Sequence, residues 1–144
     1  MKFSFVVRRL GFLKSIPLFA HYFDSLLKLS TFVAKPRLLD WLDEIEAEVL
    51  AWEGISASLH RYGGVQFNYH GREIGHLHGN GLLDLRCGKE LKAQLMKTGR
   101  VQPHHLFKDS GWLSFYICTA DDKIYASQLL RITRDRFARG NCSC

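Results

Sequence analysis

Cysteine is scarce in this chain of 144 residues, and its four copies do not fall at the spacing of a metal cluster. Cys87 and Cys118 stand in apolar surroundings and read as buried small hydrophobes. Cys142 and Cys144 follow Gly140 at the end and read as reduced thiols on a frayed tail. Long apolar runs are also lacking. In the greasy stretch from Phe3 to Phe19, the charges Arg8, Arg9 and Lys14 break up any secretory signal core. The longest uncharged run there, Ser15–Phe23, is far short of the roughly 20 residues that a spanning helix needs. A reducing compartment without structural disulfides is therefore expected. Internal repeats, low-complexity tracts and interior linkers are missing as well. With 47% apolar and 24% charged residues, the chain has the composition of one globular domain with a real core.

The body of the chain also lacks net charge. The overall +6 arises in residues 1–37, where Lys2, Arg8, Arg9, Lys14, Lys28, Lys35 and Arg37 stand against Asp24 alone. Residues 38–144 carry 13 basic and 13 acidic side chains. A nucleic-acid-binding domain would show a basic face of its own, so that class is excluded. The basic, apolar arm of residues 1–35 has two expected fates. It packs as a helix on its own domain, or it lies on an anionic membrane surface. The expected location is cytoplasmic, peripheral on the membrane in the second case. Oligomeric state has no signature in the sequence.

Periodicity organises the rest. Leu38, Leu42, Ile45, Val49 and Trp52 make one stripe of a helix that begins at Pro36 and stops at Gly54. Asp40, Asp43, Glu44, Glu46 and Glu48 form its solvated face, which is also able to attract the basic arm. Four short runs follow, 55–62, 65–70, 73–78 and 82–87, separated by Gly63-Gly64, His70-Gly71 and Gly79-Asn80-Gly81. They predict an antiparallel meander. A helix over 89–98, a strand over 112–118 and a helix from a Thr119–Asp122 cap to about Phe137 complete the pattern. Trp112, Ser114 and Tyr116 should share one side of that strand, and Leu113, Phe115 and Ile117 the other. The expected fold is α+β: a mainly antiparallel sheet, four-strand meander plus one later strand, flanked by helices. Its parts are an arm at 1–35, a domain at 36–138 and a tail at 139–144.

Chemistry concentrates in Arg72-Glu73-Ile74-Gly75-His76-Leu77-His78 and in His104-His105, which hold four of the seven histidines. On a strand, Ile74, His76 and His78 point one way, while Glu73, Gly75 and Leu77 point the other. His60 and Arg61 end the first strand and can approach the same face. Three readings fit. A metal site would use His76 and His78 with His104 or His60, although no acidic or Cys ligand has suitable spacing. A structural reading makes them hydrogen-bonded sheet histidines. A metal-free small-molecule site would use imidazoles as base and donor, Arg72 as anion clamp and Trp112 as an aromatic wall. The third is favoured, so neither a metal nor another cofactor is expected.

The Arg72–His78 run, followed by Gly99, His104 and Trp112–Tyr116, resembles the luciferase of bioluminescent fungi and its wider family. The resemblance covers about residues 60–135. It is closer still to short bacterial luciferase-domain proteins, through His60-Arg61-Tyr62-Gly63-Gly64 and Pro103-His104-His105 with Ser110-Gly111-Trp112. It implies cofactor-free, oxygen-dependent oxidation of a hydroxypyrone with loss of carbon dioxide. His76, His78 or His104 would remove the enol proton, Arg72 would stabilise the anion beside Glu73, and Trp112 and Tyr116 would exclude water. His60, Arg61, Tyr62, His105 and Asp84 would line the substrate site. Asp84 falls near a histidine of the fungal proteins, and the His-containing insertion of those proteins is replaced here by Gly79-Asn80-Gly81. A non-catalytic ligand-binding domain is the alternative.

Overall fold

The computed structural model describes residues 17–141. The basic start of the arm, the terminal Cys142 and Cys144 and the last part of the expected tail lie outside the described residues. Helix α1 (Pro17–Ala34) leads through Lys35 into α2 (Pro36–Leu50). The meander follows as β1 (Ile55–Leu59), β2 (Val65–Tyr69), β3 (Arg72–Leu77) and β4 (Leu82–Arg86). Helix α3 (Lys89–Met96), β5 (Gln102–Pro103), β6 (Trp112–Tyr116) and α4 (Ala120–Asn141) complete the chain. All six strands pair antiparallel in the order β1-β2-β3-β4-β6-β5. The fold is α+β, as the periodicity predicts.

The stripe on α2 is the reason for its position: Leu38, Leu42, Ile45 and Val49 are all buried. They join Leu129 and Leu130 of α4 and Phe67, Leu83, Leu85, Leu113 and Phe115 of the sheet in one core. Each such side chain contributes roughly 1.5–3 kcal/mol by leaving water. Helices thus cover one face of the sheet and leave the other for polar groups. The acidic face of α2 pairs with α4, through Glu44 with Lys123 and Glu48 with Arg131, and so has basic partners within the domain itself.

Four details depart from the sequence reading. Strand β1 stops at Leu59, because Gly63 and Gly64 (φ +89 and +88) let the chain turn back and the His60 amide bond the Gly64 carbonyl. Strand β5 is an additional strand. It is two residues long, and Pro103 sits at the sheet edge, where its missing N–H costs no ladder bond. Helix α4 continues past Phe137 to Asn141. Cys118 is exposed, just beyond β6 at the start of the α4 cap, whereas Cys87 is buried and burial pushes its thiol up to about 11.

The fifth departure shapes the site. Pairing between β2 and β3 shifts between Phe67 and Asn68, so that Gly75 faces Phe67 and Glu73 faces Asn68. Ile74 is the extra residue of a β-bulge, and the strict alternation expected for β3 is broken there. Ile74 goes into the core at 0% exposure, and Glu73 turns to the same side as His76. The alternation rule had put Ile74 with the histidines and Glu73 opposite them.

Candidate functional site

The polar face of the sheet gathers side chains from five segments. Strand β3 supplies Glu73 and His76, and His78 follows at its end. The tight turn at Gly79–Gly81 returns the chain so that Asp84 of β4 lies directly across from His76. Ser114 of β6 lies across from Asp84 in turn. The 60–64 turn brings His60, and the segment after β5 brings His104. His60, His76, His78, Asp84 and His104 are all buried, and Asp84 is completely so.

Their contacts fix several proton positions. Nδ1 of His76 lies 2.8 Å from Oε1 of Glu73, and a carboxylate only accepts, so Nδ1 carries a proton. Nδ1 of His104 accepts the Leu106 and Phe107 amides at 3.1 and 3.2 Å, which leaves its proton on Nε2. Nδ1 of His60 accepts the Tyr62 amide at 3.4 Å, and its Nε2 stands 3.7 Å from Glu73. The Ser114 hydroxyl donates to Oδ1 of Asp84. Oδ2 of Asp84 has no hydrogen-bond partner among the described residues. Three imidazole Nε2 atoms ring it, those of His76 at 3.4 Å, His104 at 3.7 Å and His78 at 3.8 Å.

Charge follows from this packing. Burial opposes a proton on His76, but the two carboxylates beside it, Asp84 and Glu73, outweigh that and raise its pKa. Burial also disfavours the charged carboxyls of Glu73 and Asp84, yet His76 holds both below the usual range, assisted at Asp84 by Ser114. The remaining imidazoles are driven neutral, first by burial and then by the neighbouring His76 or His105. His78 falls to about 3, and His60 and His104 to about 4. The rings of His60 and His76 stack 3.6 Å apart at 11°, so two charges would repel there. The centre therefore presents one imidazolium between two carboxylates, surrounded by neutral imidazoles.

Residues 71–133 match the family model described as Luciferase domain. This segment is similar to the luciferase-like family. No curated protein and no solved structure matches the chain. The match runs from the β2–β3 turn into α4 and takes in His76, His78, Asp84, His104 and Trp112, while His60 enters from outside it.

In and around the matching segment, most of the expected site residues come together. Trp112 stands 5.6 Å from His76 and 5.8 Å from His104, ring to ring, as a wall. Tyr116 shares its side of β6, and burial together with Asp84 raises its pKa. His105 is exposed and stacks on His104 at 4.4 Å. At the rim, Tyr62 packs edge-on to His60 at 5.7 Å, with Arg61 over its ring at 5.3 Å. Arg72 is placed elsewhere. Its guanidinium lies 4.9 Å from the ring of Phe137, a core residue of α4, on the helical side of the sheet. The register explains this, since Arg72 alternates with Glu73 and Glu73 faces the site.

Sequence reading missed three contributors. Arg86 faces the site side two residues after Asp84, and its charge helps hold Glu73 ionised. Ser114 fixes Asp84. Lys92, buried in α3, donates to the Lys108 and Ser110 carbonyls and pins the segment that carries His104. Only Ser114 had a signal, its place on the polar side of β6.

Proposed function

We propose that the chain is a small-molecule enzyme of the luciferase-like kind, oxidising an enolisable, hydroxypyrone-like compound with molecular oxygen and releasing carbon dioxide. The observation that carries this reading is the convergence of Glu73, His76, His78, Asp84 and His104 beside Trp112 within a luciferase-like domain. An enol oxygen set beside His76 and His78 gives up its proton to the neutral imidazole of His78, while the imidazolium of His76, oriented by Glu73, stabilises the enolate. The enolate carbon bonds to dioxygen, the oxidant. The resulting peroxide anion meets the Nε2 proton of His104 and the guanidinium of Arg86, which takes the role first expected of Arg72. Attack of the peroxide on the adjoining ring carbonyl expels the ring oxygen, which takes back the proton, and cleavage of the O–O bond with the C–C bond to that carbonyl then releases carbon dioxide. One atom of dioxygen leaves in that gas and the other stays in the product. Trp112 and Tyr116 shield the intermediate from water.

Oxygen uptake by the purified chain with hydroxypyrones tests this reading. Uptake should accompany carbon dioxide release and fall about 100-fold or more in His78→Gln, the usual scale for loss of a proton-transfer group. A pyrone that binds and consumes no oxygen would instead favour a non-catalytic small-molecule-binding domain.

A further inference from the structure

We propose that Asp84, His76 and His78 form a binding site for one divalent first-row metal ion, a 2-His-1-carboxylate set at the centre of the polar face. The strongest observation is the bare Oδ2 of Asp84. This carboxylate is completely buried, its Oδ1 is satisfied by Ser114, and Oδ2 has no hydrogen-bond partner among the described residues. His76 faces it only as an ion pair at 3.4 Å, and a buried charged oxygen without a hydrogen bond costs more than the roughly 1–3 kcal/mol of a neutral group. A cation held between these atoms would satisfy it.

The surrounding atoms suit a cation. His76 and His78 hold Nε2 at 3.4 and 3.8 Å from Oδ2. These spacings are long for hydrogen bonds but near the edge of a coordination shell. Ligand bonds of about 2.0–2.2 Å place the ligand atoms of a tetrahedral site roughly 3.3–3.6 Å apart. Ring nitrogens of His60, His76 and His78 all fall within 4.8 Å of one another, as do ligand atoms of Asp84, His104 and His105. Proton positions choose among them. His76 gives its Nδ1 proton to Glu73, which frees Nε2 to bind metal and supplies the carboxylate–imidazole–metal arrangement that orients such ligands. His104 and His60 each use Nδ1 as an acceptor of backbone N–H, so their Nε2 atoms carry protons and border the site instead of ligating. Three protein ligands with open positions is the pattern of reactive metal centres, not of closed structural ones.

Spacing in sequence gave no acidic ligand to the His-x-His pair. The β3–β4 hairpin supplies one, by placing Asp84 opposite His76. The ion and a proton on Nε2 of His76 are alternative occupants of one place. The coordination stands on geometry alone; with His76 and His78 as ligands, the ion would take over the activation of the enol given to them above, and that use rests on the oxidation reading.

The test takes the full chain, stripped with EDTA, through equilibrium dialysis against zinc and visible spectroscopy with cobalt(II). About one ion per chain should be retained, with intense cobalt bands of a four- or five-coordinate site. Asp84→Asn and His78→Gln should each abolish retention at micromolar metal, and Glu73→Gln should weaken it by about 10–100-fold. His70→Asn, which removes an exposed imidazole in the β2–β3 turn, should leave it unchanged. Circular dichroism checks that the variants fold, and zinc should raise the melting temperature of the wild type but not of His78→Gln. Failure of the wild type to retain metal, or retention surviving both Asp84→Asn and His78→Gln, would overturn the proposal. The dialysis needs no substrate. A failed oxygen-uptake assay therefore sinks the oxidation reading alone, and failed dialysis sinks the metal site alone.

Discussion

Gly75 sits between Ile74 and His76, with its missing side chain aimed at β4. A Cβ there would stand 2.6 Å from the Asp84 carbonyl oxygen and 2.9 Å from the Leu85 side chain. The backbone oxygen cannot move away without loosening the pairing that sets Asp84 against His76. Gly64 is constrained twice, by φ of +88 and by the Leu77 carbonyl oxygen 2.4 Å from its would-be Cβ. Gly75→Ala is expected to lower stability in chemical denaturation by about 1–3 kcal/mol, the usual cost of overpacking. It should also weaken any ligand held by His76 and Asp84. A near-neutral result would mean that the β3–β4 contact is looser than described.

At the scale of elements, α4 shows how local chemistry fixes a boundary. Thr119 accepts the Asp122 amide through its hydroxyl, and Oδ2 of Asp122 takes the Cys118 and Thr119 amides in return. This is the reciprocal cap read from Thr119-Ala120-Asp121-Asp122, with Asp serving where Glu is commoner. Burial works slightly against the Asp122 carboxylate, but the Thr119 hydroxyl, these amides and Arg100 outweigh it and lower its pKa. A folded pKa below the unfolded one means that the stability it contributes is present above the unfolded value of 3.8 and is lost as pH falls through the folded value. Asp122→Ala should cost about 1 kcal/mol at neutral pH, and the difference from wild type should vanish in strong acid. Urea titrations at the two pH values would check this. Strand β3 makes the complementary case. Its period of two is clear in the sequence, and the bulge at Ile74 is not, because a bulge depends on how the partner strand β2 pairs.

Across the whole molecule, charge and apolar surface divide unevenly. No helix among the described residues is long and apolar enough to cross a membrane. Helix α1 nonetheless exposes Tyr22, Leu26, Leu29 and Val33, which recur at helical spacing along one stripe, in the segment that carries the excess basic charge. The expectation that the arm lies on an anionic surface is open to test with vesicles. Anionic vesicles should pellet the chain, and Leu26→Glu with Leu29→Glu should keep it in the supernatant, as should high salt. Equal pelleting of both forms would tie α1 to its own domain instead.

The sequence by itself determined the α+β class, the buried stripe of α2, the two sides of β6, the neutrality of the domain and the segments from which the imidazoles come. Those features depend on local period and composition, which a linear chain displays in full. Tertiary structure decided the site. It turned Glu73 toward His76 through a bulge, sent Arg72 to Phe137, put the charge of Arg86 within reach of Glu73, and set the buried Asp84 at the centre of three imidazoles. Each of these follows from strand register, and register is a relation between segments that neither segment specifies alone.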